Sequence, residues 1–196
     1  MLVNPGCPIN NAEIHGITDE MVQELGWPAE DVINGLMLHM RNAVEMEMPI
    51  VIFNAPYDWT TLHAHAARLG IEWDLAEAII IDPMVLDKQI DKWRSGGRKQ
   101  ADVARHYGIE IVGDLHTAAV DADLAVQIAR AMGRGYPSLS DLDFAPRQKQ
   151  WAINQQRDLQ RYFAKKGGGS LVHIGWPIAE PIINPNSEAA NWGRPV

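Results

Sequence analysis

A single cysteine, Cys7, in a chain of 196 residues excludes an internal disulfide and fits a reducing compartment. Its thiol reads as bland rather than reactive. Long apolar runs are missing too. Nothing approaches the roughly 20 residues that a membrane span needs, and residues 1–5 carry neither the basic nor the apolar region of a secretory leader. A cytoplasmic location with no membrane partner is therefore expected. Cations are in deficit, with 17 Lys and Arg against 25 Asp and Glu and a net charge of −8. That balance argues against broad wrapping of nucleic acid, which needs surplus Lys and Arg along the phosphates. A small site is still compatible with it, because an enzyme that holds divalent cations concentrates carboxylates where the metal sits.

The 46% hydrophobic and 21% charged content is that of a globular chain with a real core, one domain plus appendages. After an extended, Pro- and Asn-rich stretch of fifteen residues, Thr18 followed by Asp19 and Glu20 reads as the cap and acidic first turn of a helix ending near Leu25. Pro28 opens a second helix, in which Val32, Leu36, Met40 and Val44 recur every four residues and are expected to face the core. The continuously apolar segment 49–54 (PIVIFN) predicts a strand buried on both faces in a parallel sheet, with chemistry at its C-terminal end. A helix over 55–70 closed by glycine and a second buried strand over 78–82 (AIIID) complete a right-handed βαβ crossover. Further helices are expected over 99–107, over 118–132 with Gly133 as its stop, and over 141–166, where Trp151, Leu159, Tyr162 and Phe163 are available for packing. From Gly167 onward the GGGS run and repeated prolines read as a linker and irregular tail.

Four places carry residues suited to chemistry. In Asn54-Ala-Pro-Tyr57-Asp58 a strand hands over to a helix and sets Asp58 in its first turn, where the carboxylate serves either a site or merely the helix dipole. His116 lies at the mouth of a loop and Asp121 follows five residues later, inside the second helical turn, so both side chains can face one cleft. A solvated loop histidine beside an unrelated acid has the same pattern, but small residues at Ala118, Ala119 and Ala122 allow close packing on a sheet. His15, Gly16 and Thr18 lead into a helix whose free amides suit either a phosphate or only their own cap. Arg94, Arg98 and Lys99 gather three cations on a Ser-Gly-Gly loop, to steer a phosphate chain or simply to face solvent.

In this order, the stretches LVNPGCPI and IHGITDEMV, the motif FNAPYD (53–58) and the motif HTAAVDA (116–122) resemble the DEDDh, DnaQ-like 3′-5′ exonucleases, the group of polymerase proofreading subunits, RNase T and oligoribonuclease. The match covers roughly residues 2–132. The segment from DPMVLDK to HYGIE, the late helix and a WPI near the end are similar to actinobacterial and phage members. The resemblance implies an α/β, ribonuclease H-like exonuclease fold over 1–136, an extra C-terminal helix over 137–166 and a Gly/Pro-rich tail over 167–196. It implies that Asp58 and Asp121 are metal ligands and that His116 is the general base, suited by a pKa near 6.5 that leaves it largely neutral at working pH. His15, Thr18, Asn54 and Tyr57 become substrate neighbours. The cofactors implied are two Mg2+ or Mn2+ ions about 3.5–4 Å apart, which demand oxygen ligands and stabilise the attacking and leaving oxygens of a phosphodiester. The substrate implied is the 3′ end of a single strand, DNA in preference to RNA, trimmed to nucleoside monophosphates.

One family element is absent. No Asp-x-Glu occurs in the 196 residues, and the pattern resumes just after Met1, as if the opening strands of the mixed sheet were missing. A start codon assigned too late, a split gene whose second chain supplies the strands, or a degenerate form that binds without cutting each account for this. Two carboxylates against four positive charges predict weak metal affinity and a chain that alone has little activity. The rival function is a catalytically incomplete nucleic-acid-binding or polymerase-associated module of the same fold.

Overall fold

The computed structural model describes residues 1–10, 12–113, 117–139, 142–167 and 171–180. Its elements follow from local signals read in chain order. β1 (Val3–Asn4) precedes a single turn, α1 (Ala12–His15), and then α2 (Asp19–Leu25), whose cap Thr18 is extended and accepts the Met21 N–H at 3.3 Å, as its sequence predicts. β2 (Trp27–Pro28) lies parallel to β1, with Val3 opposite Trp27, and runs into α3 (Ala29–Glu45).

β3 (Ile50–Val51), α4 (Ala55–Arg68) and β4 (Ile80–Ile81) form the expected strand-helix-strand unit. Its two strands are parallel, with Ile50 opposite Ile80 and Val51 opposite Ile81. The amides of Ile50 and Ile52 extend the ladder by donating to the carbonyls of Ile79 and Ile81, at 2.8 and 2.9 Å. Beyond β4 come α5 (Pro83–Ile90), α6 (Gln100–His106), α7 (Ala118–Gly135), two 3-10 turns (Pro137–Leu139 and Leu142–Arg147) and α8 (Gln148–Lys165). The fold is α/β, with small parallel sheets among many helices. Among the described residues no helix is long and apolar enough to cross a membrane.

Two apolar layers sandwich the β3–β4 pair. Side chains alternate along a strand, so Ile80 joins a cluster with Met37, Trp59, Leu62 and Leu75, while its neighbour Ile81 joins one with Val103, Leu124, Ile128 and Met132. Ile50 and Ile52 follow Ile80 to the first layer, and Val51 and Phe53 follow Ile81 to the second. Burial on both faces is the reason PIVIFN contains no polar alternation. Trp151 of α8 packs against both layers and ties them together.

Four expectations need correction. The core face of α3 is Ile33, Met37, Met40 and Val44, whereas Leu36 is 39% exposed. A strict four-residue repeat drifts around a helix of 3.6 residues per turn, and spacings of four, three and four stay on one side. Gly133 does not stop α7, which continues to Gly135 because its packing against the following 3-10 turn outweighs a propensity loss of about 1 kcal/mol. The segment 141–166 is not one helix. Pro146 sits within the 3-10 turn Leu142–Arg147, and α8 starts only at Gln148. Of the four aromatic and aliphatic residues assigned to packing there, Leu159 and Tyr162 are exposed.

The stretch after the glycine run is irregular in backbone but firmly attached over 171–180. Trp176 is buried in the first core layer, the Gln156 side chain holds both the N–H and the carbonyl of Gly175, and Ala179 N–H donates to Thr60 Oγ1 at 2.8 Å.

Candidate functional site

The chain leaves β3 through Asn54, which adopts left-handed backbone angles (φ 66°, ψ 51°) and caps α4 without using its side chain. Asparagine tolerates this conformation better than most residues. Asp82 fixes the turn from the tip of the neighbouring strand β4. Fully buried, it accepts the N–H groups of Asn54 and Met84 on Oδ1 and of Ala55 on Oδ2, all at 3.0 Å, with the Trp176 indole N–H on Oδ2 at 3.3 Å and Val85 N–H more distant at 3.4 Å. Its own amide donates to Gln148 Oε1 at 2.9 Å, and Gln148 Nε2 donates back to the Ile80 carbonyl. Burial pushes the Asp82 carboxyl upward in pKa, and the N–H groups of Asn54, Ala55 and Val85 with the indole pull it back. One carboxylate thereby joins the starts of α4 and α5 to the 171–180 segment.

The expectations from sequence include neither this cap nor α5. The signal was present: an aspartate followed by proline, at the end of a buried strand, has the pattern of an N-cap and first helical position.

Asp58 lies in the first turn of α4, exposed at the surface. Desolvation by the surrounding protein raises its carboxyl above the ordinary aspartate value, opposed by its own backbone N–H. Asp121 occupies the matching place in α7, half-buried; its amide donates to the Thr117 carbonyl at 3.0 Å and its carbonyl accepts Gln100 Nε2 at 2.6 Å. Because α7 packs against β3, both carboxylates stand in the first turns of helices that adjoin the same strand. His116 lies outside the described residues. Among the described residues no group of three or more His, Cys, Asp and Glu is placed to hold a metal ion.

Asn54 and Tyr57 line a cavity of about 540 Å³, with Tyr57 72% exposed. His15 and Thr18 sit apart from α4 in sequence and use their side chains locally. The His15 ring accepts Ile17 N–H on Nδ1 and donates from Nε2 to the Asn10 carbonyl, and Thr18 caps its own helix.

The cationic loop does not steer phosphate with its two arginines. Arg94 and Arg98 both turn inward onto Asp87, which is fully buried; the Arg94 side chain is only 4% exposed, and Tyr107 adds its hydroxyl at 3.4 Å. The Asp87 carboxylate raises the Arg94 guanidinium further. Only Lys99 of the three is exposed. A buried carboxylate needs its full set of donors, so Arg94→Met is expected to cost about 1–3 kcal/mol in a urea melt. An unchanged midpoint would show the pair to be dispensable.

Over 145 residues the chain is 31% identical to the "Uncharacterized exonuclease CP81" of Escherichia phage 186, a match that spans 68% of this chain and 72% of that protein. No protein-family model matches the chain, and no solved structure does.

Proposed function

Because the chain belongs to an exonuclease family, that of the phage 186 protein, we propose that it is a metal-dependent 3′-5′ exonuclease of the DEDDh, ribonuclease H-like kind, hydrolysing phosphodiesters at the 3′ ends of single strands to nucleoside monophosphates. The observation that carries this reading is the matched placement of Asp58 and Asp121 in the first turns of two helices adjoining β3. The C-terminal ends of strands in open α/β sheets are where such folds gather their chemistry.

Mg2+ or Mn2+ fits these residues in kind, since hard cations take carboxylate oxygens. The fit in number is incomplete: among the described residues no third donor joins them. We read the missing donors as belonging to an Asp-x-Glu segment supplied from elsewhere, by a partner chain or a further stretch of protein. Bound cations supply charge stabilisation to the attacking and leaving oxygens. In this reading Asp58 and Asp121 hold that charge in place, His116 accepts the proton of the attacking water, and Asn54 and Tyr57 contact the terminal nucleotide.

The shortage of donors also favours a second reading, a non-cutting nucleic-acid-binding or polymerase-associated module. A single strand labelled at its 5′ end, incubated with the chain together with a partner or added segment that supplies Asp-x-Glu, separates the two. The exonuclease reading expects progressive shortening from the unlabelled end with Mg2+ or Mn2+ and none with EDTA. Degradation indifferent to EDTA, or early release of the label as a mononucleotide, would refute it. Retention of the strand without shortening under either cation selects the module.

A further inference from the structure

The cavity of about 540 Å³ lies between the start of α4, α5, α8 and the 171–180 segment, and it is within the range of roughly 300–1,000 Å³ typical of small-molecule sites. Asp58 and Asp121 are not among its walls. Leu159 and Phe163 of α8, Leu171 and Val172, and Met84 and Val85 of α5 supply apolar walls. Most polar groups facing it are already engaged. Thr60 Oγ1 accepts Ala179 N–H, Thr61 Oγ1 donates to the Tyr57 carbonyl, Gln155 Nε2 donates to the Val85 carbonyl, and Gln156 is spent on Gly175. Asp82 already receives five N–H groups.

Lys88 is different. It reaches the cavity from α5, half-buried, and among the described residues its ammonium makes no hydrogen bond or ion pair. The two acids whose charge it feels are committed elsewhere, Asp82 to its N–H donors and Asp87 to Arg94 and Arg98. Burial lowers the Lys88 ammonium from the ordinary lysine value; Asp82 and Asp87 oppose that and Arg98 adds to it. An ammonium with reduced hydration and no acceptor in contact is costly unless an anion completes it. Two further groups remain open: the Asn54 side chain, which makes no cap hydrogen bond, and Nε2 of His173, whose Nδ1 donates to the Glu180 carbonyl at 3.3 Å.

We propose that this cavity binds a nucleoside 5′-monophosphate, with the phosphate on the Lys88 ammonium and the base against the apolar side formed with Phe163 and Leu159. An anion with several acceptor oxygens completes Lys88, and a flat, largely apolar body with hydrogen-bonding edges fits the walls and the open Asn54 amide. That the body is a nucleoside rests on the exonuclease reading, since cleavage of a phosphodiester chain makes this product. The cavity shares Asn54 and Tyr57 with the nuclease site, but neither Asp58 nor Asp121 lines it, so its occupancy requires no divalent cation.

Titration calorimetry of the full chain with dAMP in EDTA tests this directly, with deoxyadenosine and inorganic phosphate as the two half-ligands. Binding of dAMP is expected to exceed that of either half and to weaken by at least about tenfold in Lys88→Met, the loss of a charge-assisted contact. Leu159→Glu, a change at a residue 43% exposed on the cavity rim, replaces the apolar wall against the base with a charge that stacking would have to desolvate, leaves the core undisturbed and should weaken binding similarly. The proposal is overturned if dAMP fails to bind in EDTA, if both variants bind as the parent does, or if phosphate alone binds as tightly as dAMP. Binding that requires Mg2+ and vanishes in Asp121→Asn would place the ligand at the carboxylates instead and leave the nuclease reading standing. Lys88-dependent binding by a chain that shortens no strand supports the cavity and counts against the nuclease.

Discussion

Asp82→Ala should cost on the order of 5 kcal/mol, enough to leave little folded protein given the 5–15 kcal/mol typical of a whole domain. The substitution strips the acceptor from four backbone N–H groups and the Trp176 indole, in a place with 0% exposure where water does not replace it. It also leaves a cavity at the junction of α4, α5 and the 171–180 segment. Asp82→Asn should fall between, since an amide keeps one acceptor oxygen and turns its NH2 toward donors. Chemical denaturation followed by tryptophan fluorescence measures both. A loss below about 2 kcal/mol for the alanine variant would mean that those donors find other partners and that the clamp is not what shapes the turn at Asn54.

The second large effect concerns activity. If Asp58 and Asp121 are the metal-holding carboxylates, Asp121→Asn should slow 3′ shortening of a single strand by about a thousandfold, equivalent to ~4 kcal/mol of lost transition-state stabilisation. Asp58→Asn should do the same, and the double variant should be scarcely worse, because residues that act as one unit do not contribute additively. Folding is not a confounding factor at Asp58, because its side chain is exposed and surface substitutions of this kind change stability little. Single-turnover rates with saturating Mg2+ and with Mn2+ are the measurement. Rates within threefold of the parent for either variant would remove that residue from the site.

Much of the architecture was legible because its causes are local. The Thr18 cap, the glycine end of α4 at Gly70 (φ 68°) and the polar-free run before Asn54 each announce themselves within a few residues. The α3 stripe was misread by one position because a four-residue repeat and a 3.6-residue period look alike over two turns and part by the third. Arg94 and Arg98 look like a solvated cationic loop in sequence, and nothing nearby reveals that Asp87, seven and eleven positions earlier, draws both inward. The unengaged charge on Lys88 was equally hidden, since it depends on α8 and residues 171–180 closing over α5 from sixty or more positions away. Asp58 and Asp121 were named from motif order; their shared relation to β3 became visible only through packing.

Trimming the protein at the glycine run, the boundary its composition advertises, would carry off more than an appendage. The piece removed contains Trp176, which fills part of the first core layer and crowns the Asp82 carboxylate, together with Ala179, latched to Thr60. A shortened version should therefore melt earlier and expose the helix start that bears Asn54, so any preparation intended for biochemistry has to retain at least residue 180.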